Sequence, residues 1–235
     1  MVNKILLICG ICLSAHSSVF SADLNVKGSL VHHYHHLADL KDWHASLTRS
    51  FQGQGLFLET TDHFEQHPAF AVQLDFASIG PLKTGVYYSH ISTGGRSAIH
   101  DPTGSFLIDH VISSQVMGLA LRWPILKSRI NLYGTFKPLF LSTTLGHREE
   151  LTILEKQESS LSFKAHQWAI EPGLTLCLPY RIFFLDIECA YQMASKNTLK
   201  RQKGQSLMFL EYSLAQSLSV DWSGLKLSLS LGLSF

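Results

Sequence analysis

Charged residues are scarce in this sequence. Asp, Glu, Lys and Arg together make up 16% of the 235 residues, whereas an average soluble domain has about 25%. The formal net charge is only +1, and no basic run is interleaved with aromatic residues, so no nucleic-acid partner is expected. The composition is therefore unlike that of a typical soluble domain or of a nucleic-acid-binding protein.

Cysteine is also rare. The sequence has four cysteines, of which Cys9 and Cys12 lie in the first residues of the chain. The other two, Cys177 and Cys189, lie on segments that a turn at Pro179 would bring together, with the cysteines at different heights and on opposite faces. Disulfide geometry does not allow that arrangement, so we expect both thiols to be free.

The N-terminal residues have the three-part pattern of a secretory signal peptide. Met1–Lys4 is short and positive, Ile5–Leu13 is apolar, and Ser14–Ala22 is rich in small residues. This pattern predicts cleavage just after Ser21 or Ala22. The apolar part is too short to cross a bilayer as a helix.

After this leader, no apolar run reaches the length of about 20 residues that a membrane helix needs. Apolar residues instead alternate with polar ones at a spacing of two, which is the pattern of β-strands. In the segment 69–79, for example, Phe70, Val72, Leu74 and Phe76 share one face. The spans that alternate are 24–35, 56–64, 69–79, 82–92, 113–123, 129–141, 163–178, 181–193, 206–220 and 225–235.

The two faces of these strands indicate which solvent surrounds them. A soluble sandwich or lipocalin would turn many charged residues towards water, but here one face is apolar and the other is small and polar. An apolar outer face with a polar interior is typical of a membrane β-barrel, and in lipid only a helix or a closed barrel satisfies its backbone hydrogen bonds. The isolated charges of the polar face are Asp75, Arg122, Lys137, Glu171, Asp186 and Glu188. Because charges inside a narrow barrel must be paired, we expect the acids to pair with Arg122 and Lys137.

The connections predict the sidedness of the barrel. Short turns lie at Ile79–Leu82, Trp123–Ser128 and Leu178–Arg181, and long polar loops alternate with them at about 92–110, 144–161 and 194–206. Short periplasmic turns and long extracellular loops are the arrangement of outer-membrane barrels. Eight strands fit this sidedness, with one N-terminal span and 206–220 inside loops, and ten strands are the alternative.

The chain ends in "GLKLSLSLGLSF", in which apolar residues alternate with Lys, Ser and Gly up to Phe235. This ending resembles the C-terminal signal of bacterial outer-membrane β-barrel proteins, in which a terminal Phe follows apolar residues at alternate positions. The resemblance implies localisation in the bacterial outer membrane, contact with outer-membrane lipids and delivery by the barrel assembly machinery. We therefore expect a signal peptide over residues 1–22 and an outer-membrane β-barrel domain over residues 23–235. The aromatic residues that would form its interfacial girdle are Trp123, Trp168, Tyr191 and Trp222.

A cluster of histidines, "VHHYHH", stands out near the N-terminus of the mature chain. His33 and His35 would share one face of a strand, and His32 and His36 would share one face of a helix. Neutral imidazoles at either spacing can bind zinc or copper, but no nearby Cys or carboxylate completes a set of four ligands. A metal-free cluster near the mouth of the barrel is the favoured interpretation.

The segment "VYYSHISTGGRSAIHDPTG", residues 86–104, contains a candidate catalytic pair. His90 and Ser92 would lie on the lipid-facing side of a strand near the extracellular rim. The segment is similar to the active-site segment of outer-membrane phospholipase A, in which His-x-Ser is followed by Gly-Arg-Ser and Asp-Pro-Thr, here residues 95–97 and 101–103. The family's orienting asparagine is absent, and Asp109 is the nearest substitute. The resemblance implies Ser92 as nucleophile, His90 as base, Asp109 as the orienting residue and calcium as a cofactor.

Two functions of different classes follow from these patterns. The favoured one is an integral outer-membrane barrel with a structural or surface-interaction role and no cofactor. Because side chains nearly fill an eight-stranded interior, a general porin is not expected. The alternative is a lipid acyl-ester hydrolase, a phospholipase or lipid A deacylase, using the Ser92 and His90 pair. A second His-x-Ser at His44–Ser46 shows how easily this spacing arises, and a periplasmic lipocalin-like protein is disfavoured by the C-terminal pattern.

Overall fold

The computed structural model describes residues 20–21, 24–53, 55, 57–101, 104–152, 156–201 and 218–235. The elements in chain order are β1 (Phe20–Ser21), β2 (Asn25–His35), α1 (Ala38–Gly53), β3 (Glu59–His63), β4 (Ala69–Ile79), β5 (Leu82–Asp101), β6 (Gly104–Leu126), β7 (Asn131–Thr152), β8 (Lys156–Tyr180), β9 (Phe183–Ala194), β10 (Asn197–Thr198), β11 (Lys200–Arg201), β12 (Ser219–Val220) and β13 (Gly224–Ser234). Among these residues no helix has both the length and the apolar character needed to cross a membrane.

Eight of these strands close into a ring. Each of β4 to β9 pairs with its neighbour along the chain, β2 pairs with β4, and β13 joins β9 to β2, all antiparallel. The fold is therefore an up-and-down barrel, which confirms the predicted all-β class and the count of eight. The predicted N-terminal span 56–64 lies outside the ring as β3, on the edge of β5. Of the span 206–220, residues 206–217 lie outside the described residues, and β12 pairs only with β10.

The two ends of the barrel differ strongly. At one end the connections are short, and Asn25 of β2 lies opposite Ser234 of β13. Strands β2, β4, β9 and β13 have 11 or 12 residues, close to the 9–11 or so that cross a membrane. Strands β5 to β8, however, have 20 to 25 residues. They project beyond the others at the opposite end as a four-stranded wall.

This wall corrects the predicted loops at 92–110 and 144–161. The described residues of both stretches are strand, paired in continuous register from Lys83 opposite Arg122 to Asp101 opposite Gly104, and from Leu145 opposite Phe163 to Thr152 opposite Lys156. Their Ser, Thr, Gly and charged residues have the composition of loops. Tertiary pairing overrides that preference, because β-propensity depends on the neighbouring strands.

Helix α1 was not predicted and packs against the inside of this wall. Its buried face consists of Leu40, Trp43, His44, Leu47, Thr48 and Phe51, a helical spacing of three and four residues. Leu40, Trp43 and Leu47 pack in one cluster with wall residues such as Ile112 and Leu145. The helix between β2 and β4 therefore packs inside the end of the barrel at which the wall projects.

The outer surface of the barrel carries a broad apolar belt. Exposed apolar side chains of the ring strands other than β7 contribute to it, among them Phe70 at 76%, Trp168 at 68% and Leu231 at 62% exposure, whereas those of β7, such as Phe140, are half-buried. Trp123 and Tyr191 are also exposed, as predicted for a girdle. The prediction is wrong for Trp222, which is fully buried and donates its indole N–H to Thr143 Oγ1 at 2.9 Å. Trp222 lies just before β13, outside the regular alternation of apolar and polar residues that determines which side chains face outwards.

The two barrel cysteines lie on adjacent strands and do not form a disulfide. Cys177 is buried opposite Asp186, and Cys189 is exposed opposite Leu174. Both thiols are free, which confirms the prediction from their heights and faces.

The lumen is filled by paired charges at the level of the belt. Lys137 Nζ lies 2.9 Å from Glu171 Oε1 and 2.7 Å from Glu188 Oε1, and Lys226 Nζ lies 2.5 Å from Glu171 Oε2. Asp186 binds Arg122 at 3.0 Å and Lys27 at 3.3 Å. These pairs confirm the expected pairing for Glu171, Asp186 and Glu188, whereas Asp75 accepts a hydrogen bond from Gln73 at 2.6 Å and has no cation partner among the described residues. The void beside Lys137 is about 10 Å³, no more than the space of one water molecule.

We expect the Lys137→Met variant to be less stable than the wild type by about 3–5 kcal/mol, because it leaves Glu188 buried without its cation. Urea unfolding of the refolded protein in detergent measures this difference. Lys127→Met, at an exposed turn, is the matched control and should leave stability unchanged. Equal stability of the two variants would contradict a structural role for the lumen network.

Candidate functional site

The four histidines of the candidate metal cluster, for which a metal-free interpretation was favoured, point in different directions. His33 and His35 face the lumen and are buried, whereas His36 is exposed and His32 lies on the outer face. The rings of His33 and His35 lie 6.5 and 5.1 Å from Trp222, and no described group hydrogen-bonds to their four nitrogens. Across the described ranges, no three His, Cys, Asp or Glu residues converge as a metal site. The structure therefore brings two of the four candidate ligands together.

His90 and Ser92 lie on the outer face of β5 and are exposed, as predicted. They line a groove of about 670 Å³ on the outside of the barrel, together with Asp109, Arg96, Phe70, Val111 and neighbouring residues. The groove lies at the edge of the apolar belt that is nearest the wall, since His90 is opposite Phe70, near the start of β4. The candidate pair is therefore positioned at the boundary between apolar and polar surface.

Asp109 does not lie against His90. It is opposite Arg96 in the ladder, four residues beyond Ser92, or about 13 Å along the strand. Both of its oxygens accept hydrogen bonds from Arg96, at 3.3 and 2.8 Å. In the part of the chain that the structure describes, no hydrogen bond joins His90, Ser92 and Asp109. The three residues share a groove without forming a triad.

A second cluster of polar side chains lies inside the wall and was not predicted. Ser97 Oγ lies 2.9 Å from His44 Nε2, and His44 Nδ1 lies 2.8 Å from His110 Nδ1. His110 Nε2 lies 2.7 Å from His147 Nδ1, and His147 Nε2 lies 3.2 Å from Glu149 Oε1. All five residues are buried. We call this series the histidine chain.

The hydrogen bonds of the histidine chain have one consistent direction. When Glu149 accepts from His147 Nε2–H, His147 Nδ1 accepts from His110 and His110 Nδ1 accepts from His44, so each imidazole donates with one nitrogen and accepts with the other. At the far end, the Ser97 hydroxyl donates to His44 Nε2. Because His44 and His147 contact opposite nitrogens of His110, the three rings do not converge on one metal ion.

The histidine chain joins α1 to the wall. His44 is on α1, and the other four members of the histidine chain come from β5, β6 and β7. Ser97 also contacts Thr48 of α1 at 3.2 Å and Thr60 of β3 at 3.0 Å, which cover its hydroxyl. Ser97 is therefore a link between elements and is not presented to a substrate. Sequence reasoning missed the chain because its members are scattered, and only the strand register brings them together.

Burial changes the ionisation of the histidine chain. It lowers the pKa of His44 from 6.5 to about 4, with the neighbouring His63 and His147 adding to the effect and Asp62 and Asp109 opposing it. Burial also lowers the pKa of His110 well below 6.5. His110 lies in the wall and His44 on α1, both beyond the belt. They are consequently neutral at physiological pH, as the hydrogen-bond pattern requires.

We expect docking of α1 to weaken as the pH falls. An undocked His44 binds a proton below pH 6.5, whereas the docked residue does so only near pH 4, so the docked state loses about 3 kcal/mol between these values. Hydrogen exchange of the α1 amides, corrected for the intrinsic pH effect, measures this loss. His44→Gln should reduce the pH dependence, and His166→Gln, at an exposed site, should retain it. Protection of α1 that does not change with pH would contradict this assignment.

The closed ring, the apolar belt and the filled polar lumen define this chain as a membrane-spanning eight-stranded β-barrel. No protein-family model matches it, and no curated protein matches it in sequence. Among solved structures it is similar to Ail, the attachment invasion locus protein of Yersinia pestis, solved with the heparin analogue sucrose octasulfate. That match has 12% identity, covers 91% of this chain and 97% of Ail, and has a TM-score of 0.34. Neisserial surface protein A matches with 10% identity over 92% and 99% of the two chains, also at 0.34. These superpositions are loose, and the fold described above rests on the strand pairing.

Proposed function

We propose that this protein is an integral barrel of the bacterial outer membrane whose role is interaction at the cell surface. The observation that carries the proposal is the wall formed by β5 to β8. From Phe140 in the belt to Thr152, strand β7 alone continues for 12 residues, about 40 Å along the strand. Strands of this length are not needed to cross the membrane.

The wall is built as a stable platform. Its inner face has an apolar core that includes Ile108, Ile112, Leu145 and Phe163, and α1 packs against that face. At its tip, Arg148 and Lys156 both pair with Glu150 and Glu158, at 2.8 to 3.9 Å. A fixed surface loses little conformational entropy when a partner binds.

Transport is poorly compatible with the lumen. Four buried cations, Lys27, Arg122, Lys137 and Lys226, face four buried carboxylates, Asp75, Glu171, Asp186 and Glu188. The opposite charges balance at the level of the belt and leave almost no void. An eight-stranded barrel is also too narrow for an aqueous channel once its side chains are in place.

The outer membrane is favoured by the last strand. Four of the five leucines of β13 and Phe235 are exposed on the outer face, and Phe235 lies at the end with the short turns. This agrees with a C-terminal assembly signal at the periplasmic rim. Outer-membrane lipids and the barrel assembly machinery are accordingly the partners that we propose.

We expect cells that display the protein to adhere to cultured epithelial monolayers better than cells with an empty vector. Replacing residues 150–158 by an Asn–Gly turn removes the tip beyond the paired residues Glu149 and Ser159 and should abolish this gain. Adherent cells are counted after washing, and surface display is checked by antibody.

The double variant Lys127→Gln/Arg129→Gln, changed at the opposite end of the barrel, is the matched control and should adhere like the wild type. Heat-modifiable gel migration verifies that each variant is folded. Absence of adhesion by a folded, displayed wild type would overturn the interaction role, and stepwise conductance in planar bilayers would favour transport instead.

A second candidate function is lipid acyl-ester hydrolysis, which the groove at His90 and Ser92 favours. The groove joins the apolar side chains Phe70 and Val111 to these two polar residues, as a site for a lipid ester would. Among the described residues no carboxylate hydrogen-bonds to His90, and both oxygens of Asp109 are bound to Arg96.

If the protein is a hydrolase, the refolded wild type with calcium should release fatty acid from phospholipid or lipid A vesicles. Ser92→Ala and His90→Ala should each abolish the release, while Ser128→Ala, changed in an exposed turn at the opposite end of the barrel, should not. A wild type without turnover in the presence of calcium would eliminate this candidate.

A further inference from the structure

The outer face of the barrel changes in character row by row above the belt. Directly opposite residues on β5, β6, β7 and β8 form rows across the sheet. The aromatic row is Tyr88, Met117, Phe140 and Trp168; the next row is His90, Gln115, Ser142 and His166; the third is Ser92, Ser113, Thr144 and Lys164. Within four residues along each strand, the surface therefore passes from aromatic to imidazole and amide, and then to hydroxyl and ammonium groups.

The third row continues onto β11, where Lys200 lies directly opposite Lys164. We call the five residues Ser92, Ser113, Thr144, Lys164 and Lys200 the hydroxyl–lysine row. It crosses five strands, and its length is about 19 Å at a strand spacing of 4.8 Å. Both lysines are exposed.

The two lysines of this row have no acidic partner among the described residues, and like charges directly opposite each other destabilise a sheet. Four other cations of the same end are paired with acids, whereas Lys41, Arg49 and Arg201 have no acidic partner among the described residues. Arg96 binds Asp109, Lys196 binds Asp39, and Arg148 and Lys156 bind the tip glutamates. Lys164 and Lys200 thus place two unpaired positive charges directly side by side at one end of the hydroxyl–lysine row.

The depth of the row matches that of lipid headgroups. Lys164 is four residues beyond Trp168, which is about 13 Å along the strand and about 10 Å along the membrane normal at the usual strand tilt. Trp168 packs edge-on against Phe140, with ring centroids 5.2 Å apart, and such aromatic residues mark the membrane interface. The headgroup layer extends roughly 5–8 Å beyond the hydrocarbon, within reach of a lysine side chain.

We infer that the hydroxyl–lysine row binds the headgroup of a phosphorylated glycolipid of the outer leaflet. Lys164 and Lys200 contact its phosphate, which relieves their mutual repulsion, and the hydroxyl groups of Ser113 and Thr144 exchange hydrogen bonds with its sugar. The acyl chains then lie along the apolar belt below Trp168. The inference rests on the proposed outer-membrane location and does not depend on the adhesive role.

Native mass spectrometry of the refolded full chain, titrated with bisphosphorylated lipid A, tests this inference. Lys164→Gln/Lys200→Gln should weaken binding by on the order of ten- to thirty-fold, since each lysine contributes to the attraction of an anionic lipid. The matched control Lys127→Gln/Arg129→Gln, which removes two exposed cations at the opposite end of the barrel, should bind like the wild type. Dephosphorylated lipid A should bind weakly to all three proteins.

Several outcomes would overturn the inference. Equal binding of wild type and Lys164→Gln/Lys200→Gln would remove the lysines from the site, and equal binding of dephosphorylated lipid A would remove the phosphate. Complete displacement of the lipid by inorganic phosphate would indicate a free-anion site, and preference for a sulfated oligosaccharide would indicate a glycan receptor. Heat-modifiable migration of every variant separates these results from failure of the barrel itself.

Discussion

The interaction on which the rest of the structure depends is the contact of Lys137 with Glu171 and Glu188 at the centre of the barrel. A charge buried in so narrow a space is tolerated only when it is paired with good geometry. Lys137 lies on β7, and its two partners lie on β8 and β9. A slip of one residue in any of these strands would turn the charge into the lipid. The network therefore ties the register of the ring to the separation of its apolar and polar faces.

The same strands are surrounded by lipid over one part of their length and by water over the other. At the level of the belt the outside is apolar and the inside is ionic, whereas in the wall the outside is polar and the inside contains Ile112, Leu145 and the histidine chain. The reversal follows from the change from lipid to water around the barrel. It places the stabilising contacts of the wall on the inner face and leaves the outer face available to the groove at Ser92 and to the hydroxyl–lysine row.

Sequence patterns predicted the parts of this fold in which one face is strongly apolar. The span 69–79 coincides with β4, and most of the interior acids were assigned to their partners, because alternation of apolar and polar residues is unambiguous there. The extensions of β5 to β8 were missed because their outer residues are Ser, Thr, Gly and charged residues, which also make up loops. Helix α1 was missed although Leu40, Trp43, Leu47 and Phe51 have helical spacing, since the segment lies between strands in a chain dominated by two-residue alternation.

The candidate sites also differ in whether the sequence could predict them. His90 and Ser92 share a strand, so their common outward face could be predicted from spacing. His44 and His110 are 66 residues apart and His110 and His147 are 37 apart, and Lys164 and Lys200 likewise come from separate strands. The sequence by itself determined a barrel with a polar lumen and an apolar surface, because a period of two decides which face each residue takes. Only the tertiary structure decided which residues became neighbours across strands, because that depends on register, and register is set by the packing of the whole ring.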